Sequence, residues 1–134
     1  MSDANFDGFL EVIRTLRGPE GCPWDRKQTV ESMRPYLLEE TYETLDAIDQ
    51  NDDEELKEEL GDVFLIATMM AVIKEQDEAF AVGEVFDYIR EKMVRRHPHV
   101  FGTAEADTPE AVSAQWEQIK TDVEGKAPPS TLDA

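Results

Sequence analysis

The chain has 134 residues, 40% of them hydrophobic, with 31 acidic against 13 basic residues and a formal net charge of −18 at pH 7. This balance excludes non-specific nucleic-acid binding, which needs a basic footprint. It also means that a polyanionic ligand has to arrive with a cation and meet a local basic cluster.

The expected order begins with residues 4–17, where Phe6, Phe9, Leu10, Ile13 and Leu16 recur at helical spacing. The leading MSDANFDGFLEV has neither a basic start nor a long apolar core, so it does not read as a signal peptide. Gly18-Pro19 ends the first helix, and residues 18–31 (GPEGCPWDRKQTVE) form a Gly- and Pro-rich loop. Trp24 in that loop reads as a plug over the core, with a ligand platform as the alternative. Cys22 is the single cysteine, which excludes an internal disulfide and points to a reducing, cytoplasmic home.

A second helix starts between Thr29 and Pro35, since proline is tolerated in a first turn. At ~100° per residue, Met33, Leu37, Thr41, Thr44, Leu45 and Ile48 make one stripe, with Glu40, Glu43 and Glu39 along its flank. A third helix, about 53–76, opens acidic and becomes apolar all round from Val63 to Ile73, broken only by Thr68. That run is too short to span a bilayer, which takes ~20 residues, so no membrane is expected as a partner. The line through Ile66, Met69 and Ile73 extends back to Asp62 and Glu59, aiming both acids as buried side chains point. Unpaired, they would be costly there. If the two helices pack antiparallel across their short connection, Glu40, Glu43, Glu59 and Asp62 converge, and a hard divalent cation, Mg²⁺ or Mn²⁺, answers their repulsion. So apolar a helix also calls for a partner subunit, with an isologous dimer as the default.

A fourth helix, about Val82 to Arg96, turns Val82, Phe86, Ile89 and Met93 inward. Arg96 continues that stripe, Lys92 lies at its edge and Arg95 faces away. Lys92 and Arg96 read equally as a phosphate clamp or as salt-bridge partners of the acidic helices. His97-Pro98-His99 reads as a turn with one packed ring, with metal ligation as the alternative. Thr108 and Pro109 open a last helix to about Glu124. On it Trp116 and Lys120 share a face, either packing the tail or offering a ring to a base and an amine to phosphate. Residues 126–134 read as a disordered tail after a domain of residues 1–125.

An acidic i, i+3 pair alone says little, because at this composition about one such pair in twenty is doubly acidic by chance. The combination says more. The segments GCPWDRKQT, RPYLLEETYE, EELGDVF and EKMVRRHPHVFG resemble the MazG family of nucleoside triphosphate pyrophosphohydrolases, a resemblance that covers roughly residues 6–125. The resemblance implies an all-α fold of four to five helices in which a dimer, or a tetramer built as a dimer of dimers, forms four-helix-bundle sites. It implies Mg²⁺-dependent cleavage of a nucleoside triphosphate to monophosphate and pyrophosphate. Matched residue by residue, it makes Glu40, Glu43, Glu59 and Asp62 metal ligands and Glu39 the carboxylate that handles the attacking water. Lys92, Arg95 and Arg96 would meet phosphates, and Trp116 and Lys120 the base end of the substrate. Some members carry two such domains in tandem; one is seen here. The rival readings are a pyrophosphohydrolase dedicated to one deoxynucleotide or to phosphoribosyl-ATP, and a non-catalytic acidic interaction module. A ferritin-like di-iron site is disfavoured, because it needs Glu-x-x-His on two helices.

Overall fold

A computed structural model of the protein describes residues 2–125, with side chains from Asn5 onward; the tail at 126–134 lies outside the described residues. Among the described residues the fold is all-helical, without strands. Seven helices follow in order: α1 (Ser2–Leu16), α2 (Pro23–Arg26), α3 (Val30–Asp49), α4 (Asp53–Gln76), α5 (Val82–Arg96), α6 (Pro98–Phe101) and α7 (Pro109–Gln118). A π-helical turn, Ile119–Val123, continues α7. The two unforeseen helices, α2 and α6, are single turns, each opened by a proline whose fixed φ suits a first helical position.

Local chemistry explains the helix ends. The Thr29 hydroxyl accepts from the Ser32 amide, and the Ser32 hydroxyl accepts in return from the Thr29 amide, a reciprocal cap that starts α3. Pro35 therefore falls in the second turn and not the first, giving up one backbone bond on a solvent-facing stretch. The Asp52 carboxylate accepts from the Glu55 amide at 3.1 Å to open α4. Three residues, Gln50 to Asp52, join the helices, with Asn51 in the left-handed region at φ 54°. The Thr108 hydroxyl caps α7 by accepting from the Ala111 amide.

The chain divides into two compact units, one through Val85 and one from Phe86 onward. In the first, α3 and α4 pack as a hairpin and α1 lies against α4. Its core gathers Ile13 of α1, Met33 of α3, Ile66, Met69, Val72 and Ile73 of α4, and Val82. The Arg14 guanidinium pairs with Glu75, whose carboxylate also accepts from the Val82 amide at 3.0 Å.

Three expected faces differ. On α3 the buried side chains are Met33 and Ala47, whereas Leu37, Thr41, Leu45 and Ile48 are exposed. Met33, Glu40 and Ala47 are spaced by seven, so the acid sits on the inward line itself and not beside it. On α4, Leu60, Phe64 and Ala67 are exposed although the run is apolar all round, because α1 and α3 cover only the opposite side. On α5, Val82 is buried but Phe86, Ile89 and Met93 remain exposed. Trp24 does not plug the core; the residue is 46% exposed.

Candidate functional site

The α3–α4 hairpin carries the acids. Glu40 and Glu43 lie on one face of α3, three residues apart, and Glu59 faces them from α4. Each of the three offers a carboxylate oxygen, and these oxygens lie within 4.8 Å of one another. Glu59 is buried at 6% exposure, and Glu40 and Glu43 are half-buried. The Oε2 atoms of Glu40 and Glu59 are buried and receive no hydrogen bond among the described residues. Such orphaned oxygens are what a missing cationic partner leaves behind.

The electrostatics agree. Burial pushes the Glu59 carboxyl up to about 8, and crowding by Glu43, Glu40 and Glu55 adds to it. Glu40 is raised too, first by burial and further by the charges of Asp62 and Glu43. Asp62, half-buried, is therefore close enough to act on Glu40, but it stands outside the group of three converging oxygens. Glu39 is exposed next door. Glu55 escaped the sequence reading, though its position four residues before Glu59 on one helix face was the available signal. It lines an acidic cavity of about 320 Å³ with Glu43, Asp46 and Asp52. Hard carboxylate oxygens, buried, crowded and without donors, fit a divalent cation of the Mg²⁺ or Mn²⁺ type.

The basic and aromatic candidates belong to the second unit. Arg96 is buried, as its stripe predicts, and its guanidinium donates to Glu124 Oε1 at 2.8 Å; both side chains are 7% exposed. Arg95, more exposed, donates to Oε2 of the same carboxylate at 2.7 Å. The salt-bridge partner is thus Glu124 and not an acidic helix. Two arginines, with Arg96 foremost, draw the Glu124 carboxyl down to about 2. Glu124 was not singled out from sequence, because the π-helical turn before it shifts its direction away from simple helical spacing. Lys92 is left out of this fork and stands 5.7 Å over the Tyr88 ring.

His97 and His99 both pack: the His97 ring meets Trp116 edge-on at 5.2 Å, and His99 Nδ1 lies 3.0 Å from the Gln115 amide nitrogen. Among the described residues neither belongs to a metal-binding group. Trp116 walls a cavity of about 460 Å³ with His99, Asp107, Thr108, Val112 and Ser113. Its indole Nε1–H is buried without an acceptor. The Lys120 ammonium lies 3.9 Å from Glu117.

Residues 28–101, which include both acidic helices and the Arg-Arg-His-Pro-His segment, match the family described as the MazG nucleotide pyrophosphohydrolase domain. The chain belongs to that family. A nucleoside triphosphate pyrophosphohydrolase/pyrophosphatase MazG of Thermotoga maritima is 46% identical over 127 residues, covering 95% of this chain and 48% of the relative. A nucleoside triphosphate pyrophosphohydrolase of Escherichia coli K12 is 43% identical over 129 residues, covering 95% and 49%. The chain thus spans about half the length of these two curated MazG relatives. A crystal structure of a mazG-related protein from Thermotoga maritima superposes with a TM-score of 0.72 at 30% identity, covering 87% of this chain and 99% of that one. No helix among the described residues is long and apolar enough to cross a membrane.

Proposed function

We propose that this MazG domain hydrolyses nucleoside triphosphates, ribo- or deoxyribo-, to the monophosphate and pyrophosphate in a Mg²⁺-dependent reaction. The observation that carries the reading is the converging trio of half-buried Glu40 and Glu43 and buried Glu59, with its two orphaned carboxylate oxygens. A non-catalytic acidic module has no use for carboxylates buried in this state.

Glu40, Glu43, Glu59 and Asp62 would hold the ion. When bound, the cation supplies Lewis-acid polarisation of the phosphate oxygens, and Mn²⁺ would serve in its place. Glu39, exposed at the edge of the trio, takes the proton of the attacking water. Water adds to one phosphorus, the anhydride bond between the α and β phosphates breaks, and pyrophosphate leaves. Lys92 and Arg96, with Arg95 beside it, neutralise the charge that develops on phosphate oxygens. Arg95 and Arg96 already grip a carboxylate as a two-arginine fork, a geometry that suits phosphate equally. Trp116 and Lys120 contact the base end of the nucleotide; the unpartnered Trp116 Nε1–H in a roomy cavity supports this.

The working form is a homodimer, or a tetramer made of two dimers, in which hairpins of two chains form a four-helix bundle. The support is the apolar stripe that one chain leaves in water: Leu38, Tyr42 and Leu45 on α3, Leu60 and Phe64 on α4. The single free Cys22 suits a cytoplasmic setting.

The decisive experiment incubates the purified protein with each common NTP and dNTP, with Mg²⁺ or with EDTA, and resolves the products by ion exchange. Monophosphate plus pyrophosphate, lost in EDTA and in Glu43→Gln, is the expected result. Diphosphate plus orthophosphate would overturn the assigned bond. Turnover of a single deoxynucleotide or of phosphoribosyl-ATP alone would narrow the substrate to that compound.

A further inference from the structure

The GCPWDRKQT segment has no part in the reaction proposed above, and in the structure its side chains divide into one exposed ring and a frame that holds it. Gly21 is packed so closely that a Cβ would sit 2.2 Å from the Leu16 carbonyl oxygen. Arg26 donates to the Pro19 carbonyl at 2.8 Å. The Arg17 Nη1 donates to the carbonyls of Asp25, Arg26 and Gln28 at 2.6, 3.1 and 2.8 Å, while its Nε and Nη2 bond Gln76 Oε1 of α4. The buried Gln28 amide donates to the Trp24 carbonyl at 2.9 Å, and its oxygen accepts from the Ser32 hydroxyl at 2.7 Å. The bonds to the carbonyls of Pro19, Trp24, Asp25, Arg26 and Gln28 fix backbone around Trp24, yet the residue stays 46% exposed.

The ring stands edge-on to Tyr36, itself 39% exposed, with centroids 6.0 Å apart at 70°. Large aromatic surface left in water normally forgoes hydrophobic stabilisation, and so firmly tied a loop does not expose it through looseness. Tyr36 precedes Glu40 by four residues, about 6 Å along the same face of α3. A ligand with a flat apolar end and a polyanionic end meets both surfaces at once.

We propose that Trp24 and Tyr36 form a stacking face for the base of the nucleotide whose phosphates are handled at Glu40, Glu43 and Glu59. The inference rests on the nucleotide reading above. Trp24 acts on affinity and base preference, Tyr36 supports it from the side, and Arg17 and Gln28 are positioning residues.

The test measures binding by calorimetry, in Mg²⁺, of a non-hydrolysable α,β-methylene nucleoside triphosphate and of inorganic tripolyphosphate, which has no base. Trp24→Ala is expected to weaken the nucleotide analogue about tenfold and Trp24→Phe less, the range known for base–aromatic stacking. Tripolyphosphate should shift by less than about twofold, because it lacks the stacking partner. In turnover, KM should rise while kcat stays nearly constant, the signature of lost uniform binding. Analogue binding unchanged in Trp24→Ala, equal weakening of both ligands, or a change of oligomeric state by light scattering would each overturn the assignment. Should Trp24→Ala fail to fold, Trp24→Phe and Tyr36→Leu carry the same comparison. A Trp24-dependent analogue affinity in a protein that hydrolyses nothing would sink the reaction and keep this site. Hydrolysis indifferent to Trp24 would do the reverse.

Discussion

The two units treat buried glutamates in opposite ways. In the first, Glu59 is buried against other acids, and burial followed by that crowding lifts its carboxyl to about 8. In the second, Glu124 is buried against Arg96 and Arg95, which draw its carboxyl down to about 2. Identical chemistry thus gives one cluster in which each acid meets a base and one in which acids meet only acids, a group that could hold a cation. Incomplete charge at a buried point is a mark of a binding site, whereas the arginine pair is satisfied by Glu124 until a phosphate competes for it.

The largest expected effect comes from breaking the incomplete cluster. Glu43→Gln should reduce hydrolysis by roughly a hundredfold or more, since loss of even an outer partner of a metal costs 10–100-fold. It should also abolish the thermal shift that Mg²⁺ gives the wild type. A variant that keeps both would leave the acids as a solvated face.

Breaking the complete cluster should cost stability instead. Glu124→Ala strands the buried Arg96 and is expected to cost about 3 kcal/mol in urea denaturation, the scale for removing one partner of a buried pair. A loss well under 1 kcal/mol would mean that Arg95 and water take over.

The contrast sharpens with pH. Folded Glu59 holds its proton more tightly than in the unfolded chain, so metal-free stability should fall as pH rises from 4.5 to about 8. Mg²⁺ should reverse that fall with release of protons, and Glu59→Gln should flatten it. Glu124 works the other way: its contribution is full above 4.5 and is lost as pH falls through about 2. Denaturation midpoints across pH, with and without Mg²⁺, separate the two.

The smallest effect is local. Thr29→Ala removes the α3 cap and should cost about 1 kcal/mol, with Mg²⁺ affinity per folded molecule unchanged. Equilibrium denaturation and calorimetry read the two quantities independently.

Local signals in the sequence determined much of this protein: the bounds of α4 and α5, the Thr108 and Pro109 start of α7, and the inward aim of Glu59 along the line of Ile66, Met69 and Ile73. These follow from nearest-neighbour chemistry and helical period, which need no knowledge of what lies opposite. The four motifs likewise carried the MazG resemblance.

What only the tertiary structure decided is which apolar faces are covered and which charges find partners. Periodicity placed Met33, Leu45 and Ile48 on one apolar side of α3, but of these the chain buries Met33 alone and seats Glu40 and Ala47 in line with it, because the covering helix chooses the face. Trp24 was apolar in a loop, and only the Arg17 bonds reveal a ring held out on purpose of geometry, not tucked in. Arg96 was inward from its stripe, yet its partner Glu124 lies 28 residues on, past a π-helical turn. Helical period is local, whereas burial and ion pairing depend on segments that meet only after folding.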